Sequence, residues 1–127
     1  MIFNWRRAIL VAAVLAAGGC SKNYTPAPPS DLSVARAALE KALDCWKLRI
    51  DTSELVAAKP ALYVRDEDRS AQHRLVEYQL LPGEEPSGNA IRWPVRLRVQ
   101  RTDGREEDLQ VLYVITTSPV IHIGRQD

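Results

Sequence analysis

Cysteine, histidine and long apolar runs are all scarce in this 127-residue chain, which has two Cys, two His and one Met. Two cysteines cannot build a disulfide framework, and no CxxC, HExxH or spaced His/Cys set is present, so no metal site is read. Asp66-Glu67-Asp68 lacks the further ligands and the glycine of a calcium loop. Charge of one sign is missing too. The 17 Lys+Arg and 16 Asp+Glu nearly cancel, which removes the basic surplus that nucleic-acid binding needs for phosphate neutralisation. There is no glycine-rich phosphate cradle and no nucleophile elbow, so no cofactor and no catalytic residue is assigned. The length excludes two globular domains.

The longest uncharged apolar run, Ala8 to Ala17, follows Arg6-Arg7 and leads into Gly18-Gly19-Cys20. A spanning helix needs about 20 apolar residues, whereas a short run behind a cationic front is an export signal. Residues 1–19 are therefore expected to be a signal peptide, exported by the general route; Arg6-Arg7 also resembles a twin-arginine signal. Ala17-Gly18-Gly19-Cys20 resembles a bacterial lipobox, although Ala17 stands where leucine is usual. The resemblance implies that Cys20 becomes the lipid-bearing mature N-terminus. The alternative is an ordinary cleavage near Ala17, leaving Cys20 a plain thiol. With Ser21 rather than Asp after the cysteine, the resemblance implies the periplasmic face of the outer membrane. Losing Arg6 and Arg7 leaves 15 basic against 16 acidic residues, so attachment would come from acyl chains, each buried CH₂ contributing about 0.8 kcal/mol. Cys45 then has no intramolecular partner and is expected to be buried.

Three prolines in Ser21–Ser30 make residues 20–30 a lipid-attached, solvated tether, reaching up to roughly 30 Å at ~3.1 Å per residue. Residues 31–127 form one α+β domain. Leu32, Ala35, Leu39, Ala42, Leu43 and Trp46 recur at helical spacing with charges opposite them, so one amphipathic helix lies against a flat partner. Asp31 or Ser33 caps its start. Asp51 and Glu54 form a capping box for a short second helix ending before Pro60. Beyond Pro60 the period becomes two. Leu62–Arg65 is a weak strand, and Val76, Tyr78 and Leu80 share one face of the next, before an exposed loop at Pro82–Asn89. Trp93, Val95, Leu97 and Val99 alternate with Arg92, Pro94, Arg96 and Arg98. Turning at Thr102-Asp103-Gly104 pairs Trp93 with Tyr113, Val95 with Val111 and Leu97 with Leu109, while a shift of two residues keeps the same faces. Pro94 has no N–H and should face an edge or a bulge. A central strand at Leu109–Ile115 and a short final strand at Val120–Ile123 complete a curved antiparallel sheet of four to five strands.

This order, with Ala42-Leu43-Asp44-Cys45-Trp46-Lys47, Leu75-Val76-Glu77-Tyr78 and Thr117-Ser118-Pro119-Val120-Ile121, resembles small bacterial predicted lipoproteins of unknown function. Their layout is similar to the cone-shaped cystatin-like and nuclear-transport-factor-like domains. The resemblance implies a helix over a curved sheet that encloses a pocket, and it carries no established activity. Enzymes of that superfamily keep a His–Asp or Tyr–Asp pair inside the cone, and no such pair is assigned from this sequence.

His73 reads as a solvated loop residue and His122 as a half-buried sheet histidine. Trp46, Trp93, Tyr113 and Tyr78 are either core or the lining of a small-ligand cavity, with the first three meeting where the helix end crosses the sheet. Arg92, Arg96 and Arg98 form a basic row on the outer face. That row is either offset by Glu106, Glu107 and Asp108 or docks an envelope protein or anionic polymer. The functional expectation is a lipid-anchored cell-envelope accessory or interaction domain without catalysis. The alternative is a cone-fold ligand binder, less readily an enzyme, using the Trp/Tyr cavity.

Overall fold

The computed structural model describes residues 28–126. The signal peptide, Cys20 and the tether as far as residue 27 lie outside the described residues. No helix among the described residues is long and apolar enough to cross a membrane.

Helix α1 spans Leu32–Lys47, and the Asp31 carboxylate caps it by accepting the Val34 N–H at 3.0 Å. Ala35, Ala38, Leu39, Ala42, Leu43 and Trp46 form its buried face. Leu32, placed in that stripe by spacing alone, is half exposed, and Ala38 supplements the apolar row. Helix α2 spans Thr52–Ala57, with Asp51 accepting from the Ser53 N–H at 3.2 Å. Glu54 returns no side-chain bond, so among the described residues only half of the expected capping box forms.

Among the described residues six strands make one curled sheet: β1 Leu62–Arg65, β2 Arg74–Leu80, β3 Glu85–Ser87, β4 Ala90–Gln100, β5 Glu106–Thr116 and β6 Ile121–Gln126. The order is β1-β6-β5-β4-β2, with β3 also pairing β4. Two features depart from a purely antiparallel meander. β3 extends the sheet within the stretch expected to be a loop, and β1 pairs with β6 in parallel, Leu62 opposite Ile121. Alternation reveals which face is buried but carries no strand direction. Parallel pairing needs a crossover, and the chain must pass from β1 at one edge to β2 at the other. A third helix, α3 (Glu67–Ser70), capped by Asp66, lies in that passage.

The β4–β5 hairpin adopts the first of the two registers, with Trp93 opposite Tyr113, Val95 opposite Val111 and Leu97 opposite Leu109. The Arg101 N–H donates to the Arg105 carbonyl at 2.7 Å, and Gly104 takes φ +90°, where a side chain would be strained. Pro94 sits where β2 has ended and β3 has begun: β2 pairing stops at Val95 and β3 pairing starts at Arg92. Its missing donor falls in that gap. β2 differs from expectation because a bulge between Leu75 and Glu77 shifts the period. Leu75 therefore turns inward with Tyr78 and Leu80, in place of Val76.

The core lies between α1 and the concave face, around Leu39, Val95, Leu97, Ile115 and Ile123, all at most 1% exposed. Cys45 packs at its margin and is half-buried rather than enclosed.

Candidate functional site

On three strands the inward-facing row changes chemistry as it leaves the core. Leu62 and Val64 lead to Asp66, Val99 to Arg101, and Ile123 to Arg125, while Glu107 precedes Leu109. Because α3 crosses this end of the sheet, its capping residue Asp66 and its own Asp68 meet the charges that β4, β5 and β6 deliver.

The Asp68 carboxylate is the hub. Its Oδ1 accepts from Arg101 Nη1 at 2.6 Å and lies 2.9 Å from His73 Nδ1, and its Oδ2 accepts from Arg125. Asp66 caps α3 through the Asp68 and Arg69 N–H groups, accepts from the Tyr113 hydroxyl, and faces Arg125 Nη1 at 3.4 Å. Arg101 also donates to Glu107 at 2.8 Å. Both aspartates are buried, at 4% and 6% exposure. Burial alone would raise the Asp68 pKa, but the hydrogen bonds from Arg125 and His73 and the charges of Arg125 and Arg101 outweigh it and hold the carboxyl below its ordinary value. Burial, followed by the neighbouring Asp66 charge and its hydrogen bond, pushes the Tyr113 phenol upward, so it stays protonated and donating.

Two corrections follow for the candidate residues. His73 is not a solvated loop residue: its side chain is 16% exposed and bonded to Asp68. A Tyr–Asp and a His–Asp pair, neither assigned from sequence, both exist here as Tyr113–Asp66 and His73–Asp68. Each carboxylate is also occupied by arginine, and Tyr113 is 1% exposed, so the Tyr113–Asp66 pair is closed to solvent. His122 is exposed, stacked on Tyr63 with centroids 5.1 Å apart.

The four aromatic candidates all reach the inner side of the sheet but enclose little. Trp46 and Tyr113 border an internal space of only about 10 Å³, together with Leu39, Asp66 and Ile123. That is about one water and far below a ligand pocket. Trp93 faces the core with its indole N–H unpartnered among the described residues. The Tyr78 hydroxyl donates to Asp44 at 2.8 Å, and burial together with that carboxylate raises its pKa.

On the outer face, Arg98 pairs with Asp108 at 3.2 Å and Glu77 at 3.3 Å, and Arg92 approaches Glu85 at 3.9 Å. Arg96 has no ion pair among the described residues. Of the three acids expected to offset this row, Asp108 pairs with Arg98 and Glu106 adds its charge near it; Glu107, opposite Val99 in the register, turns to the inner side and serves Arg101.

Beside the ionic hub lies an open cleft of about 410 Å³ between the end of α1, the start of α2, and α3. Trp46, Asp66 and His73 separate it from the interior, and the Trp46 indole N–H donates to the His73 carbonyl at 3.0 Å. Arg69 ties α3 to α1 by donating to the Ala42 and Ile50 carbonyls, both at 2.9 Å. Two helix ends shape the mouth in the same way. After α1, the Arg49 and Ile50 N–H groups return to the Trp46 and Cys45 carbonyls; after α3, the Gln72 and His73 N–H groups return to those of Arg69 and Asp68. Each is a Schellman closure, which demands a left-handed residue and ordinarily uses glycine. Here the residues are Arg49, φ +62°, and Gln72, φ +67°, each costing about 1 kcal/mol relative to glycine.

Among the described residues, no three His, Cys, Asp or Glu side chains group to hold a metal ion. Comparison of the chain with protein-family models, with curated proteins and with solved structures finds no match.

Proposed function

We propose that this chain is a lipid-anchored accessory or interaction domain of the bacterial cell envelope, held through Cys20 and acting without catalysis. The observation that carries the reading is the order of segments: a cationic front, a short apolar run, Gly18-Gly19-Cys20, a proline-rich tether, and then a folded domain. Ser21 after the cysteine supports the periplasmic face of the outer membrane. The helix laid on a curled sheet supports a cystatin-like, cone-like description, from which the parallel β1–β6 edge is a departure.

The junction of tether and domain adds a direction. The Ser30 hydroxyl donates to the Asn89 carbonyl at 2.6 Å and accepts the Thr117 N–H at 3.0 Å, and the Asp31 N–H donates to the Thr117 hydroxyl at 2.9 Å. The tether thus joins the end that carries the start of α1, the β3–β4 turn and the β5–β6 loop. In this reading the opposite end, with α3 and the polar cleft, is carried away from the lipid. The outer-face row is the surface for an envelope protein or anionic polymer, with Arg96 as its uncompensated cation.

Cys20→Ser tests the anchor. The variant is expected to leave the membrane fraction and the detergent phase while keeping the parent's circular dichroism. Continued partitioning with membranes without the thiol would contradict the proposal.

A further inference from the structure

Among the described residues only Arg49 and Gln72 are non-glycine residues at positive φ, and both line the same 410 Å³ cleft. Strained side chains of this kind gather where a surface is shaped for a ligand. The charges around them are unequal. The cleft is lined by the guanidiniums of Arg49, Arg69 and Arg74 against the carboxylates of Asp51 and Asp66. Both carboxylates are engaged, Asp51 in capping α2 and Asp66 in capping α3 and binding Tyr113 and Arg125. Arg69 is committed to two carbonyls. Arg49 and Arg74 are exposed and make no ion pair or side-chain hydrogen bond among the described residues. His73 Nδ1 faces the ionic hub, 2.9 Å from Asp68 Oδ1 and 3.0 Å from Arg101 Nη1.

We infer that this cleft binds a small organic oxyanion, a carboxylate or phosphate ester. Arg49 and Arg74 carry its charge, the Gln72 side-chain amide supplies a hydrogen bond, and Ile50 and Val64 provide an apolar wall for its body. Guanidinium groups match such heads in geometry as well as charge. The volume falls within the range of small-molecule sites, about 300–1,000 Å³. The site belongs to the folded domain and does not depend on the lipid anchor.

Titration calorimetry with benzoate, phenyl phosphate, inorganic phosphate and neutral benzyl alcohol tests it. Benzoate or phenyl phosphate is expected to bind saturably, and whichever binds identifies the head group, while benzyl alcohol gives no signal. Arg49→Gly relieves the left-handed strain, so it should raise the unfolding midpoint by about 4 °C and yet weaken binding about tenfold or more. Arg74→Gln should weaken binding similarly, and Arg96→Gln, on the other side of the sheet, should bind as the parent does. Absence of binding by both organic anions, or parental affinity in Arg49→Gly and Arg74→Gln, would overturn the assignment. Inorganic phosphate binding as tightly as phenyl phosphate would overturn the organic body of the ligand.

Discussion

At the end near the tether, the inner face of the sheet carries Ile91 opposite Ile115 and Leu62 opposite Ile121. At the far end the same rows reach Glu107 on β5 and Arg125 on β6, and Asp66 and Arg101 just past β1 and β4. The first end is held by removing apolar surface from water, about 1.5–3 kcal/mol for each fully buried Leu or Ile side chain. The second is held by charges taken out of water and matched to one another, an arrangement of small net gain but costly to leave half-made. One end therefore tolerates a lost methyl group by degrees, whereas the other fails when a single partner is removed.

The largest effects are expected where the two ends can be compared directly. In urea denaturation of the Cys20→Ser chain at neutral pH, Trp46→Ala should cost about 3–5 kcal/mol, since it removes a large buried ring and the bond to the His73 carbonyl. Asp68→Asn should cost a similar 3–5 kcal/mol by removing the buried carboxylate that Arg125, Arg101 and His73 share, and Leu97→Ala about 2–5 kcal/mol. Acid separates them. Asp68 is held below its ordinary pKa in the fold, so its contribution is fully present above the unfolded value of about 3.9 and is lost as pH falls through the lower folded value. The Asp68→Asn penalty should shrink on acidification below about pH 4, while the Leu97→Ala penalty should not. Equal acid dependence of the two would erase the distinction between the ends.

Smaller changes sharpen it. Tyr113→Phe keeps the ring in the core and removes only the donor to Asp66, so a loss of about 1.5–3 kcal/mol is expected from the same urea titrations, as for a hydrogen bond to a charged group. Replacing Arg92, Arg96 and Arg98 together with Gln should leave the unfolding midpoint nearly where it was. The same triple variant should lose salt-sensitive capture of an envelope partner in pull-downs at low and moderate salt.

The apolar end was legible in the sequence because alternation and turn chemistry act locally. Trp93 to Val99 against Leu109 to Tyr113, with Gly104 between them, specify the buried face and leave two registers, of which the structure takes the first. Asp31 and Asp51 announce their helices as caps. The ionic end was not legible as a site, because Asp66, Asp68, Arg101 and Arg125 are brought together only by the parallel β1–β6 edge and the α3 crossing. A trace of it was present: each inward row continues its period of two past the last apolar residue onto a charge. The bulge in β2 hid Leu75 for a related reason, since one inserted residue reverses the alternation before it while Tyr78 and Leu80 beyond it keep their face. The strain at Arg49 and Gln72 left no sequence signal, because neither residue type marks a left-handed position.

The coupling between Asp68 and Arg125 tests most directly whether the far end is one ionic unit. A double-mutant cycle with Asp68→Asn and Arg125→Met, measured by urea denaturation at neutral pH, isolates it. The account predicts that the double variant recovers about 2–3 kcal/mol relative to the sum of the single losses, because each single substitution leaves the other buried group one partner short and the double removes both. Additivity within about 0.5 kcal/mol would contradict it.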